Sequence, residues 1–422
     1  MIVSGITTIG GDIKVGSGVT IGKDGHLFAT GVTTSTTVKV GAAVTISESG
    51  IEASGIGITC ANINGSQIGG RRNLIINGAM NIAQRGTTST SSGFYTVDRF
   101  RLLFSGHDEA LTQAKHTLST SDTPYSLGFR NSFHDTNGNQ TSGAGATDYA
   151  QLLTTIEAQD IAKSGWNYTS STSFVTLSFW VKSSVAQNFY GALRTQDGTV
   201  RSFPFETGSL TADTWKKVVI KVPGDSSNTF DNDDGSGLQI FFWAFRGTDY
   251  TGSVTLNQWN TWNTNTGTPD MTSTWWTTND STIEFTGFQL EVGPEATAFE
   301  HLMVGEELAL CQRYFFKWSS SIAYSNFNMG YTTSATNVET IYQLPVVMRD
   351  SPSLATSGTF RIVGYNYNAG QSVSTLSSLE IARSHTRSPY LRAVCSGMSV
   401  GQIGEWGDNG SNDATMSFDA EI

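Results

Sequence analysis

Apolar and polar positions alternate with a period of two in several stretches of the chain beyond residue 70. In Phe174-Val175-Thr176-Leu177-Ser178-Phe179-Trp180-Val181-Lys182 the two kinds of residue roughly separate onto opposite faces, as a half-buried strand requires. The same reading predicts strands at 74–76, 100–104, 149–156, 174–182, 189–194, 215–222, 238–245 and 282–290. Turn signals lie between them, among them Asp197-Gly198, Pro223-Gly224-Asp225 and Asp234-Gly235. Many short strands divided by Gly, Asn, Asp and Ser loops predict a β-sandwich over 71–300, most simply a jelly roll.

The helical period is found in 305–317, where Leu308, Cys311 and Phe315 fall on one face at i, i+3 and i+7. Glu306 and Glu307 stand at its start and Arg313 and Lys317 toward its end, the polarity that complements a helix dipole. This predicts a short connecting helix within 301–318. Residues 319–422 return to strand, with predicted strands at 322–330, 338–343, 359–365, 390–394 and 414–418, and make a C-terminal β-domain. The run Met416-Ser417-Phe418-Asp419-Ala420-Glu421-Ile422 alternates up to the last residue.

The first 70 residues follow another rule. They hold 15 Gly, 10 Thr and 18 Val plus Ile, one aromatic residue, Phe28, and no proline. β-Branched residues favour strands and dense glycine marks turns or close backbone approach. The large side chains that fill a monomer's core are missing. Such a segment is expected to gain stability by wrapping with identical chains, as an intertwined short-strand shaft. It also repeats: Lys14-Val15-Gly16, Val19-Thr20-Ile21 and Gly25 recur as Lys39-Val40-Gly41, Val44-Thr45-Ile46 and Gly50, offset by 25 residues throughout, the mark of stacked units. A pair of similar hairpins in a flexible Gly/Thr linker is the plainer alternative.

Charged residues make up only 14% of the chain, against ~25% in ordinary globular domains; Ser, Thr, Asn and Gly replace them, as on extracellular and virion β-proteins. The net charge is −11, which disfavours nucleic acid as a partner. The three cysteines, Cys60, Cys311 and Cys395, are far apart and outside any CxxC or Cys/His cluster, so neither zinc nor a disulfide framework is expected. Met1–Gly10 lacks the basic and apolar regions of a signal peptide, and no window approaches 18 consecutive apolar residues, so membrane insertion is not expected.

Trp180, Trp215 and Trp243 lie in apolar strands and are expected in the core. Trp259 and Trp262 lie in Asn257-Gln258-Trp259-Asn260-Thr261-Trp262-Asn263-Thr264-Asn265, and Trp275 and Trp276 in Ser273-Thr274-Trp275-Trp276-Thr277-Thr278-Asn279. An aromatic ring stacks on the apolar face of a pyranose while amides and hydroxyls bond its hydroxyl groups. Trp259, Trp262, Trp275 and Trp276, with Asn260 and Asn263, are therefore glycan-binding candidates; the alternative is that the rings pack loops onto the sandwich or a neighbouring chain. Asp231, Asp233 and Asp234, in Asp231-Asn232-Asp233-Asp234-Gly235-Ser236-Gly237, offer hard oxygen ligands for a structural Ca²⁺, although EF-hand spacing and its closing Glu are missing; a solvated Asx turn is the alternative. No other cofactor is expected. The six histidines show no HxH or HExxH pattern and the chain has no GxSxG elbow, so no catalytic residue is assigned and the chain is not expected to be an enzyme.

The string Arg72-Asn73-Leu74-Ile75-Ile76-Asn77-Gly78-Ala79-Met80-Asn81-Ile82-Ala83-Gln84-Arg85-Gly86, followed by Tyr95-Thr96-Val97-Asp98-Arg99-Phe100, resembles the opening of the main domain in many tailed-phage fibre and tail proteins. Phe285-Thr286-Gly287-Phe288-Gln289-Leu290-Glu291-Val292-Gly293 with Ala298-Phe299-Glu300 resembles the closing strand of that family's carbohydrate-binding-module-like jelly roll, and Glu307–Phe315 the helix after it. Gly31-Val32-Thr33-Thr34-Ser35-Thr36-Thr37 resembles repeats of marine cyanophage virion proteins, and Leu344-Pro345-Val346-Val347-Met348-Arg349-Asp350-Ser351-Pro352 resembles fibre C-terminal β-domains. The resemblance implies an all-β homotrimeric virion fibre, outside the capsid and assembled in the host cytoplasm. Its implied partners are itself, other tail or capsid proteins through the N-terminal segment, and a host surface polysaccharide. The family has no fixed catalytic motif to carry over. A purely structural head fibre, decoration or tail-spacer protein, and a glycan depolymerase tailspike, are the alternative functions.

Overall fold

The computed structural model describes residues 71–366 and 370–422, together with six short strands between Ile13 and Ala53 seen through their backbone pairing. The chain divides into two compact units, Met1–Ala61 and Asn62–Ile422.

In the first unit, β1 (Ile13–Val15), β2 (Val19–Ile21) and β3 (Leu27–Ala29) form one antiparallel meander, and β4 (Thr37–Val40), β5 (Val44–Ser47) and β6 (Gly50–Ala53) a second. The register of the first hairpin repeats at the offset read from the sequence: Ile13 faces Ile21 and Val15 faces Val19, as Val38 faces Ile46 and Val40 faces Val44. The third strands differ by one residue, Val19 facing Ala29 but Val44 facing Ala53, because the second turn is shorter. The side chains that would wrap a shaft lie outside the described residues.

The second unit begins with a sandwich. Its strands are β7 (Thr88–Ser89), β8 (Arg101–Ser105), β9 (Thr112–Thr117), β10 (Asn131–Thr136), β11 (Tyr149–Glu157), β12 (Phe174–Ser183), β13 (Tyr190–Thr195), β14 (Arg201–Glu206), β15 (Lys216–Pro223), β16 (Ser236–Arg246), β17 (Asn260–Thr261) and β18 (Thr282–Val292). They form two six-stranded antiparallel sheets, ordered β15-β12-β18-β10-β9-β7 and β17-β14-β13-β16-β11-β8. The chain crosses repeatedly from one to the other, so the inward side chains of both, including Leu102, Phe133, Leu177, Phe179, Leu193, Phe242 and Phe285, close one core.

The segment 74–76 is not a strand. It runs through turns in which Asn77 and Met80 adopt positive φ (61° and 59°), and its ends are clasped rather than laddered. The Arg72 and Asn73 backbone N–H groups donate to Glu300 Oε2 at 2.9 and 2.8 Å, and Asn73 Nδ2 donates to the Phe288 carbonyl at 3.0 Å. The two sequence phrases at the start and end of the sandwich thus hold each other. A carboxylate and a side-chain amide satisfy backbone groups that no ladder reaches.

Among the described residues the α-helices are short: α1 (Ala158–Ala162), α2 (Thr274–Thr277) and α3 (Val304–Gln312). The predicted helix 305–317 ends early, and its last residues become β19 (Phe315–Ser319). Tyr314 is buried, Arg313 reaches Glu157 through two bonds of 2.7 Å, and Phe315 pairs with Asp419 of the final strand. Long-range partners override a helical period here.

The remaining strands are β20 (Asn326–Ser334), β21 (Asn337–Ile341), β22 (Ser353–Ser357), β23 (Phe360–Asn366), β24 (Gly370–Thr375), β25 (Ser378–Arg383), β26 (Tyr390–Val394), β27 (Ile403–Asp408) and β28 (Thr415–Asp419). β28 lies between β19 and β22, and a seven-stranded sheet runs β24-β23-β27-β20-β21-β26-β25. Their own core includes Leu344, Ile362, Leu391, Trp406, Met416 and Phe418. Buried charges join this part to the sandwich. Arg99 pairs with Glu421, stacks 3.4 Å over the Tyr314 ring and donates to the Thr155 carbonyl at 2.7 Å. Arg85 reaches Asp419 at 3.0 Å and Glu421 at 3.3 Å.

Candidate glycan-binding cleft

The outward face of the sheet that contains β16 is not polar. Along Leu238-Gln239-Ile240-Phe241-Phe242-Trp243-Ala244, Leu238, Ile240, Phe242 and Ala244 enter the main core. Phe241 and Trp243 point the other way and form a separate cluster with Leu153 and Ala192. Register places three rows across this face: Tyr190–Trp243–Gln151, Ala192–Phe241–Leu153 and Arg194–Gln239–Thr155. Phe241 and Trp243 stack at 5.4 Å and 8°, and Trp243 Nε1 donates to Gln151 Oε1 at 2.9 Å.

A bulge extends this face. The pairing skips a residue where Ala150 faces Phe245 and Gln151 faces Trp243. Ala244 and Phe245 both turn into the core, and Arg246, facing Tyr149, comes out on the same side as Trp243. Strict alternation would have sent it inward; re-aiming a side chain is what a bulge does. Arg194 lies 4.4 Å over Phe241 and Arg246 4.7 Å over Trp243. Both guanidinium groups also lie near the Trp262 ring, at 4.7 and 5.8 Å. Burial holds Arg194 down at about 10; burial, with the neighbouring charge of Arg194, holds Arg246 at about 10 as well.

These groups enclose a cavity of about 210 Å³, and Trp262 and Thr264 are shared with a second, more open cleft of about 690 Å³. The second cleft is lined by hydroxyl and amide groups, including Ser202, Thr261, Asn260, Asn263 and Asn265. Gly267 makes the junction possible: a Cβ there would lie 2.2 Å from Arg246 Nη1 and 2.9 Å from Trp262.

The structure divides the sequence candidates. Trp262, Asn260 and Asn263 line the cleft. Asn260 Nδ2 donates to the Thr255 and Gln258 carbonyls at 3.0 and 2.9 Å, and Asn263 Oδ1 accepts from Asn265 N at 3.0 Å, so each shapes its loop with one end of its amide. Trp275 and Trp276 are corrections: both are 0% exposed and cannot stack on an external sugar. Their hydroxyl-rich flanks belong to α2, which turns both rings into the sandwich, where Trp276 stacks on Phe245 at 5.3 Å. Trp259 is also corrected: it is buried against Phe203, its N–H donating to the Pro223 carbonyl at 2.7 Å. Trp243, expected in the core, is buried at 1% exposure, but in the second cluster on the outer side of the sheet, beneath Arg246 at the base of the cavity. Its signal was present in the sequence as a strand with large side chains on both faces.

Asp231, Asp233 and Asp234 do not converge. Their loop is exposed, Asp233 Oδ1 accepts from Gly235 N at 3.0 Å, and the Asp233 and Asp234 carbonyls accept from Gln159 N and Arg349 Nη1, an Asx turn braced by neighbours. Among the described residues, His116, His134 and Glu284 bring ligand atoms within 4.8 Å of one another. Lys182 Nζ already sits 2.9 Å from Glu284 Oε1 and supplies the cation itself. Cys311 and Cys395 are free and buried.

No protein-family model matches the chain, and no curated protein matches it. Among solved structures it is similar to the enzymatically active domain of bacteriophage CBA120 tailspike protein 4, at 12% identity and TM-score 0.28, over 52% of this chain and 21% of that one. The family 11 carbohydrate-binding module of Clostridium thermocellum, in complex with a β-1,3-1,4-mixed-linked tetrasaccharide, is similar at 13% identity and TM-score 0.24, over 51% of this chain and 98% of that one. The N-terminal CBM22-1–CBM22-2 tandem domain of Paenibacillus barcinonensis Xyn10C is similar at 10% identity and TM-score 0.26, over 86% and 98%. The chain thus spans about a fifth of the tailspike domain.

Proposed function

We propose that the chain is a virion fibre subunit whose sandwich binds a cell-surface glycan without cleaving it, the groove around Trp262 being the binding site. The observation that carries this reading is the half-exposed Trp262 ring, which lines both the cavity beside Arg194 and Arg246 and the neighbouring cleft of amides and hydroxyls. Stacking surface beside dense hydrogen-bonding groups is the chemistry of a pyranose. Glycoside hydrolysis calls for two carboxyl groups flanking the bond, and the lining of these two cavities has none. The fibre part of the proposal is supported by the phage-fibre resemblance of 72–100 and 285–315 and by the Gly/Thr/Val/Ile-rich repeat. In it, three copies assemble through the first unit, which also attaches to the rest of the virion, and several weak sites act together by avidity.

The test is adsorption of labelled protein to host cells and to a glycan array. Trp262→Ala should lose the signal on both while its melting temperature stays close to that of the parent. Full retention of binding by Trp262→Ala would refute the site.

A further inference from the structure

The two arginines at the cavity have no acidic partner. Neither forms an ion pair among the described residues; burial acts on both, and the Arg194 charge and Tyr250 act on Arg246, with no carboxylate among these influences. Arg246 is 6% exposed, and its Nη1 hydrogen-bonds to nothing, as does Arg194 Nε. Their few bonds go to neutral acceptors: Arg194 Nη2 donates to Gln239 Oε1 at 2.6 Å and Arg246 Nη2 to the Thr264 carbonyl at 3.2 Å. Two enclosed cations elsewhere face acids, Arg99 with Glu421 and Arg313 with Glu157. Two like charges withdrawn from water without a counter-charge are costly, and aromatic faces offset only part of that cost.

Resting on the glycan reading above, we propose that this cavity takes the anionic group of an acidic sugar, a uronate carboxylate or a sulfate ester, held between Arg194 and Arg246. At ~30 Å³ per water, about 210 Å³ is roughly seven waters, the room of one anionic ring substituent and part of its ring. The neutral remainder of the saccharide would continue past Trp262 into the amide-lined cleft. Planar guanidinium forks suit both oxyanions, so the ligand's two sources are distinguished by experiment.

The full chain is titrated calorimetrically with three oligosaccharides of equal length: an oligogalacturonate, a sulfated galactan fragment and the neutral galactan fragment. At least one acidic probe should bind about tenfold or more tightly than the neutral one, and which of the two does so identifies the anion. Arg194→Gln and Arg246→Gln should each bring the acidic probe down to the neutral probe's affinity, and Arg246→Lys should keep part of the preference; melting curves confirm that each variant folds. Equal binding of acidic and neutral probes, abolished by Trp262→Ala, would overturn this inference and leave the proposed function standing. So would an acid preference that survives both Gln variants. Binding to none of the three, with no signal on a broad glycan array, overturns both.

Discussion

Replacing Glu421 by alanine should cost the second unit about 3–5 kcal/mol, the range for stranding one member of a buried ion pair. Arg99 and Glu421 have side chains 2% and 6% exposed, so water cannot take over the role of the lost carboxylate. Arg99 cannot swing away easily either, for its guanidinium lies on the Tyr314 ring and donates to the Thr155 carbonyl. Arg85 keeps Asp419 at 3.0 Å after the change, so the loss falls mainly on Arg99. An internal control is Glu380→Ala. The Arg392–Glu380 pair, with side chains 38% and 52% exposed, is screened by water and should contribute far less. Urea unfolding followed by tryptophan fluorescence measures both, the midpoint shift multiplied by the slope giving the difference. The double variant Arg99→Met with Glu421→Leu should recover most of the loss, since removing both charges leaves neither stranded. A loss for Glu421→Ala no larger than that for Glu380→Ala would refute the reasoning.

Other outcomes follow from single residues. Trp275→Ala should destabilise the sandwich by ~3–5 kcal/mol through the cavity it leaves, while the fraction that stays folded keeps its glycan affinity; loss of binding at unchanged stability would contradict its core position. Gly267→Ala should weaken glycan binding with little change in melting, because the new Cβ displaces Arg246 and Trp262; calorimetry beside a melting curve checks both. Asp98 is raised to about 6, burial outweighing the bonds from Gln84 and the charge of Arg85. The folded state therefore holds this proton more tightly than the unfolded chain, so its contribution is complete below pH ~4 and declines as pH rises to ~6. The stability difference between parent and Asp98→Asn, followed from pH 4 to 7, should change over that window; a flat difference would exclude the assignment. Light scattering on the full chain and on a variant lacking 1–61 should show a trimer that weakens without the segment, and a monomeric full chain would remove the fibre proposal's assembly.

The all-β class was legible because alternation in 174–182 and the dense β-forming residues of 149–156 and 238–245 correspond to real strands. β9 (Thr-Gln-Ala-Lys-His-Thr) and β10 (Asn-Ser-Phe-His-Asp-Thr) escaped the same reading. Their polar residues are held by neighbours, as Glu284 accepts from Ser132 Oγ at 2.8 Å, and such pairing does not register in a single strand's pattern. The candidates divide between cleft and core for one reason: flanking residues report the polarity of a loop, not the direction in which it folds. Trp262 and Trp275 have similar flanks, but α2 rotates the second inward. The arginines of the cavity were illegible, since Arg246 reaches it only through a bulge that no residue type announces.

The strand that carries the aromatic floor also has a cost during synthesis. Leu238–Phe245 contains no charge and no proline and is dense in β-formers, the composition of an aggregating segment. A soluble strand ordinarily breaks such a run with polar residues on one face, and here that face holds the proposed ligand surface. The folded protein covers both strand edges, with β13 on one side and β11 on the other, yet β11 ends at Glu157, 79 residues before β16 begins at Ser236. Until that distant pair closes, the segment is open to its copies on neighbouring chains. Yield should therefore depend on temperature and chaperone supply more steeply than stability alone dictates, and a charge placed at Phe241 should improve recovery while removing the ring beneath Arg194.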